Sequence, residues 1–171
     1  LAGQTVGTSL VIDFSKYLNN VLDLDPEART VRVQPGINLA WLNRQLAAHK
    51  LMFAPDPSSG DRATIGGVVG NNSSGAHSIL YGMTVDHVQQ VNILLADGTP
   101  VTLDPGTVAL AGQRSRIGEL MTQLLDFQER HASVIERDFP RHWRRATGYS
   151  LDQFLKAEFN PARVIVSSEG T

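Results

Sequence analysis

Cysteine is absent from the 171 residues, which excludes disulfide scaffolds, iron–sulfur clusters, thiolate zinc sites and cysteine nucleophiles within them. An excess of either charge is also lacking. Fifteen Lys+Arg stand against 17 Asp+Glu, a formal net charge of −2, so no global basic field gathers nucleic acid or anionic lipid. No apolar run approaches the roughly 20 residues of a membrane-spanning helix, and no signal-peptide pattern is present. Three catalytic or phosphate signatures are missing: G-x-x-x-x-G-K-[ST], G-x-G-x-x-G and G-x-S-x-G. Their absence sets aside a P-loop nucleotidase, a Rossmann dehydrogenase and an elbow-type hydrolase. What is present is apolar material, 42% of residues, enough for a core and too much for disorder. The length suits one ordinary domain. The opening Leu1-Ala2-Gly3-Gln4 leads us to expect part of a longer chain.

Periodicity predicts interspersed strands and helices. Strands are expected at Ser9–Phe14, Val21–Asp25 and Thr30–Gln34, the last two joined through Asp25-Pro26. Leu39, Leu42, Leu46 and Ala47 recur at helical spacing within a helix over 37–51, with Asn38 as its cap. Further strands are expected at Val85–Val88, Gln90–Leu95 and Pro100–Leu103, the last pair closing on the Asp97-Gly98 hairpin turn. A long helix should start near Ser115 and run to Ile135, followed by a helical turn over 151–155 and a final strand over 163–167. The two tight turns imply antiparallel pairing. The predicted class is therefore α+β, a mostly antiparallel sheet flanked by helices.

Composition changes abruptly over 58–82. This stretch holds six of the 15 glycines and five serines, with no Lys, no Glu and one Arg. A loop of that length without secondary structure is uncommon unless it binds something. Glycines admit a ligand to the main chain, successive amides form anion-binding nests, and Ser, Thr and Asn add neutral donors. Ile65, Val68 and Val69 could wall a flat ring system. The bland alternative, a flexible Gly/Ser linker, accords poorly with the embedded Ile, Val and Asn.

Pro55-Asp56-Pro57-Ser58-Ser59, then Thr64-Ile65-Gly66-Gly67, then Asn71-Asn72-Ser73-Ser74-Gly75 and Tyr81-Gly82 resemble the second FAD-binding stretch of the FAD-linked oxidases. These are the flavoproteins of the vanillyl-alcohol oxidase/p-cresol methylhydroxylase (PCMH) type. Leu1–Gln4 resembles the tail of that family's first pyrophosphate loop, Thr147–Leu151 its Gly-Tyr-Asn-Leu element, and Ser167–Thr171 the start of its closing Gly-Ser-Glu-Gly-Thr-Leu-Gly segment. The likeness is greatest to the D-lactate dehydrogenase, glycolate oxidase and D-2-hydroxyglutarate dehydrogenase branch. It implies a single partial FAD-binding domain of PCMH type over 1–171, cut within its first loop and its closing segment. It implies FAD held by Pro55 through Ser59, Thr64 through Gly67, Asn71 through Gly75, Tyr81-Gly82 and Glu169-Gly170. It also implies hydride transfer from a small 2-hydroxy acid to FAD and an electron acceptor reached through other domains. Neither nucleic acid nor membrane insertion is expected, and a cytoplasmic location, at most peripheral to the inner membrane, is. Ser73-Ser74 stands where the family has Ala-Gly. Substrate, acceptor, catalytic residues and oligomeric state are not legible.

The remaining candidates have plainer readings. None of the five histidines has metal-ligand spacing with a carboxylate partner, so no metal is expected. His77 reads as a solvent-exposed loop histidine, the alternative being that it faces the flavin. Arg137, Arg141, Arg144 and Arg145, with His142 and Trp143, form a basic cluster that is either a solvated face or a contact to a neighbouring domain. The rival function follows from that cluster: a non-catalytic interaction or assembly domain keeping the flavoprotein fold. A flavin reductase acting on a sugar nucleotide would share the same fold.

Overall fold

Asp25 turns the first hairpin by accepting the amides of Glu27 and Ala28 on one carboxylate oxygen, the side-chain turn that suits Asp at such positions. The strands it joins, β1 (Val21–Asp25) and β2 (Thr30–Val33), pair antiparallel with a register shift between Val21 and Asp23. The computed structural model describes residues 7, 8, 10–145 and 148–169. Among them the backbone forms two compact units, one reaching to Thr84 and taking in Glu169, the other spanning Val85–Ser168.

In the first unit, helix α1 (Leu39–Leu46) is capped by Asn38, whose side chain accepts from the Trp41 amide. It ends in a 3-10 turn, Ala47–His49, with Lys50 left-handed at φ 58°. Its apolar stripe is buried as the period requires: Ile37, Leu42 and Leu46 form a cluster with Val21, Leu24, Val31, Val33, Leu51 and Ile65. Two short helices follow, α2 (Ile65–Gly70) and α3 (Ser78–Tyr81), and a third, α4 (Thr84–His87), begins at the unit's last residue before the second unit.

The second unit contains the hairpin β3 (Val91–Leu94) and β4 (Pro100–Leu103), in antiparallel register. Gly98 supplies the positive φ its turn requires. A 3-10 helix, Pro105–Leu110, begins with a reciprocal capping box between Asp104 and Thr107. The 23-residue α5 (Arg116–Asp138) is capped by Ser115. It buries Met121 against Val101, Leu103 and Ala162, and Ile135 against Phe154 and Val164. A 3-10 turn, Leu151–Leu155, and α6 (Pro161–Ile165) complete the unit.

The class is α+β, and both sheets are antiparallel two-stranded ribbons. Four local expectations are corrected. No strand forms over 10–14, whose Leu10, Val11, Ile12 and Phe14 are exposed; an apolar run becomes a strand only where another strand pairs with it. Ser9 lies outside the described residues. The stretch 58–82 is not free of secondary structure, since it contains α2 and α3. Residues 85–88 start in α4 instead of a strand, because Thr84 donates both its amide and its hydroxyl to Ser73 O and turns the chain there. Residues 163–167 are not a strand either. Asn160 accepts the Ala162 amide and Pro161 stands in the first turn, and this start signal outweighs the β-branched run Val164-Ile165-Val166.

The basic cluster is divided in its commitments. Arg137 grips Asp138 through two nitrogens at 2.8 and 2.7 Å, which raises its own pKa and lowers that of Asp138. Arg145 pairs with Asp152 at 2.5 Å and lies over the Phe139 ring. Arg141 donates to Glu136 O. No helix among the described residues is long and apolar enough to cross a membrane.

Candidate functional site

The glycine-rich segment is ordered by main-chain pairing with the residues that lead from β2 into α1. Leu39 and Ala40 donate to Ala63 O and Gly60 O, Ile65 donates to Ile37 O, and Gly66 donates to Pro35 O. An isolated bridge joins Asn38 to Thr64, and the Asn38 amide donates to Asp61 O at 2.9 Å. The Ile65 and Gly66 amides are thereby consumed by the protein itself. Gly66 serves a close approach, because a Cβ there would lie 2.9 Å from the Pro35 side chain.

Helix α2 ends in a Schellman motif. Ser73 N–H donates to Val68 O and Asn72 N–H to Val69 O, with Asn72 left-handed at φ 46° and 3% exposed. Asn is the preferred residue after Gly for that position. Asn72 is thus a structural cap, a role its place in a binding motif did not reveal. Glu169 is brought to the same helix end from about a hundred residues away, donating its amide to Gly70 O at 2.8 Å with φ 53°. Gly170, Thr171, Leu1–Gln4 and Thr147 lie outside the described residues.

The next turn folds back on Pro55–Pro57. Ser78 Oγ donates to Pro55 O at 3.2 Å and accepts from the Gly75 amide at 3.1 Å. A Cβ on Gly75 would fall 1.7 Å from Asp56 O, so only glycine permits this crossing. Sequence reasoning assigned these glycines to ligand approach. At Gly66 and Gly75 the structure assigns them to approach of chain to chain.

The donor set that remains is neutral. Ser58 and Ser59 are exposed, while Thr64, Gly67, Ser73 and Ser74 are half-buried. Thr64 makes no side-chain capping bond to α2. The segment's one arginine, Arg62, is 91% exposed and lies 3.8 Å from Asp61. Hydroxyls and amides without a lysine suit an anion held by many directed hydrogen bonds instead of by a point charge. A diphosphate bridged to flat rings fits this chemistry. Pro55, Pro57 and Val68 are buried, and Ile65 is half-buried. Tyr81 is exposed, its ring edge-on to His77 at 6.4 Å, with Gly82 following as the C-cap of α3. Sequence reasoning set His77 aside, yet its Nδ1 lies 3.3 Å from Asp56 Oδ2. Among the described residues no group of three or more acidic or histidine side chains could hold a metal ion.

The model of an FAD binding domain family matches residues 1–104. The chain is 36% identical over 175 residues to a D-2-hydroxyglutarate dehydrogenase of Pseudomonas putida, covering 99% of this chain and 17% of that protein. It is 40% identical over 83 residues to the glycolate oxidase subunit GlcD of Escherichia coli, 48% of this chain and 17% of that one. It is 38% identical over 96 residues to the mitochondrial D-lactate dehydrogenase [cytochrome] 1 of Saccharomyces cerevisiae, 56% of this chain and 16% of that one. The chain spans about one sixth of the length of these relatives. The neutral donor set and the family match together identify the chain as a member of the FAD-binding-domain family, with FAD as its cofactor.

Proposed function

We propose that this chain is the FAD-binding portion of a flavin-dependent dehydrogenase that oxidises a small 2-hydroxy acid of the D-2-hydroxyglutarate, D-lactate or glycolate type. The observation that carries the reading is the convergence at α2. Thr64 stands at the start of this short helix, and the Asn72-Ser73 turn and the Glu169 amide, far apart in sequence, meet at its end. Bound FAD supplies the hydride acceptor, chemistry that no side chain offers. The chain's own residues bind and orient. Ser58, Ser59, Thr64, Gly67, Ser73 and Ser74 donate to the diphosphate. Ile65 and Val69 give the rings an apolar wall, with Pro55 and Pro57 packed within the fold. Asn71 and Asn72 hold the turn, Tyr81-Gly82 bounds one side, and Glu169-Gly170 closes another. Gly66 and Gly75 act by letting the turns cross, with Asp56 beside them. The reading includes a partial PCMH-type domain over 1–171, a cytoplasmic site of action and an electron acceptor reached through other domains.

The test is made on the protein that carries this chain. FAD is titrated while flavin fluorescence is followed, and the loaded protein is then mixed anaerobically with D-2-hydroxyglutarate, D-lactate and glycolate. Quenching on binding, and bleaching of the flavin absorbance by one of the three acids, are expected. A protein that leaves free FAD fluorescence unchanged would falsify the cofactor assignment. A loaded protein that none of the acids bleaches overturns the substrate class.

A further inference from the structure

A carboxylate is the wrong group to leave free in a loop that holds a diphosphate, since like charges repel across a few ångströms of low-dielectric protein. Asp56 stands in the middle of that loop, left-handed at φ 49°, and its Oδ2 lies 3.3 Å from His77 Nδ1. The contact joins two separate arms. One arm is Pro55–Ser59, the other the turn and helix from Gly75 to Tyr81. Two further contacts fasten the same crossing, Ser78 Oγ to Pro55 O and the bare Cα of Gly75 against Asp56 O, while Gly75 N–H donating to Ser78 Oγ closes the second arm on itself. His77 continues the connection, presenting its ring to the edge of Tyr81. Both members of the pair are about half exposed.

We propose that Asp56 and His77 form a latch that fastens the two arms of the glycine-rich segment, so that Asp56 acts on FAD binding as a positioning residue through His77 and not as a contact to the cofactor. This inference rests on the FAD-binding reading above. The latch performs two tasks with one contact. It draws the Asp56 charge to an imidazole instead of leaving it to face the phosphates, and it holds Tyr81 at a set place relative to Pro55–Pro57.

The test is a double-mutant cycle on the protein that carries this chain, with Asp56→Asn, His77→Gln and the double variant. Asn keeps the left-handed preference of position 56 while removing the charge. Amide exchange is read without FAD at Leu80, Tyr81 and Gly82, whose N–H groups donate to His77 O and Ser78 O; FAD affinity is read separately by fluorescence. Each single variant is expected to speed exchange and weaken FAD binding roughly two- to fivefold, the range of one exposed contact between polar side chains. The double variant should be no worse than either single one, since one contact is lost in all three. Additive effects, or exchange unchanged in the single variants, overturn the latch. Faster exchange with unaltered FAD affinity overturns the positioning role. A wild-type protein that takes up no FAD removes the underlying reading instead, and exchange then judges the latch alone.

Discussion

The two units of this chain are held together by different means. The second is built on side-chain packing: α5 presents a long apolar stripe, and Met121, Ile135, Phe154 and Val164 are buried along it. Phe154 stacks on Phe159 at 5.1 Å and meets the tilted ring of Phe127 at 5.3 Å. The first packs an apolar cluster at α1, and its glycine-rich half is also held by main-chain hydrogen bonds, left-handed residues and glycines at backbone crossings. Packing tolerates a change of side chain if volume is kept. Backbone crossings do not, because the clash is with the chain itself. A binding region made in the second way leaves its surface donors free of structural duty, while its glycines carry the load of the turn.

Gly75→Ala should have the largest effect. The added methyl meets Asp56 O at 1.7 Å, with no side chain to swing aside, so a loss of roughly 4 kcal/mol or a rearranged loop is expected. Chemical denaturation and FAD titration both report it. A variant as stable as wild type breaks the comparison at its root. Phe154→Ala comes next at about 3–4 kcal/mol, the usual cost of emptying an aromatic site in a core. Here exchange should quicken along α5 while FAD affinity stays within about twofold; a large loss of affinity would mean that the two kinds of construction are not separable. Ser74→Ala, which removes only a donor, should leave the denaturation midpoint in place and weaken FAD roughly tenfold, the worth of one hydrogen bond to a charged group.

Smaller effects sharpen the same contrast. Asn72→Ala forces an ordinary residue into the left-handed cap of α2 at a cost of about 1 kcal/mol, whereas Asn72→Gly, which suits the left-handed backbone, should cost less. If Gly proves as damaging as Ala, the side chain of Asn72 has a duty beyond capping. In the second unit, Asp104→Ala removes a helix cap worth about 1 kcal/mol. Hydrogen bonds from Gln90 and then Thr107 hold the Asp104 carboxyl below its usual range. Its native pKa lies under the unfolded one, so its contribution is complete above the ordinary carboxylate range and is lost as pH falls through the native value. Denaturation curves of wild type and variant should therefore differ at pH 7 and converge in strong acid. Curves that stay parallel throughout would show that the charge plays no part in the cap.

Local signals were enough for much of this molecule. The hairpins at Asp25-Pro26 and Asp97-Gly98, the caps Asn38 and Ser115, and the stripes of α1 and α5 all depend on neighbours within one or two turns, and they stand where the periodicity puts them. Short apolar runs misled. Val85–Val88, with valine at both ends, and the β-branched Val164–Val166 are too brief for a period to be read, and Thr84 and Asn160 decided them by side-chain hydrogen bonds. The motif residues divide in a similar way. Their order along the chain marked out an FAD-binding region, but nothing in a linear motif separates a half-buried hydroxyl such as that of Ser74 from a cap such as Asn72 or a crossing such as Gly75.

Composition and spacing by themselves determined the α+β class, the absence of thiol chemistry and the place of a neutral, hydroxyl-rich anion loop, since these follow from residue type and near neighbours. Only the tertiary structure decided that Glu169 returns to Gly70, that Gly66 and Gly75 yield to their own chain, and that Asp56 meets His77. Each of these is a contact between segments whose separation along the chain carries no local signal, and a backbone atom, which every residue possesses, takes part in the first two.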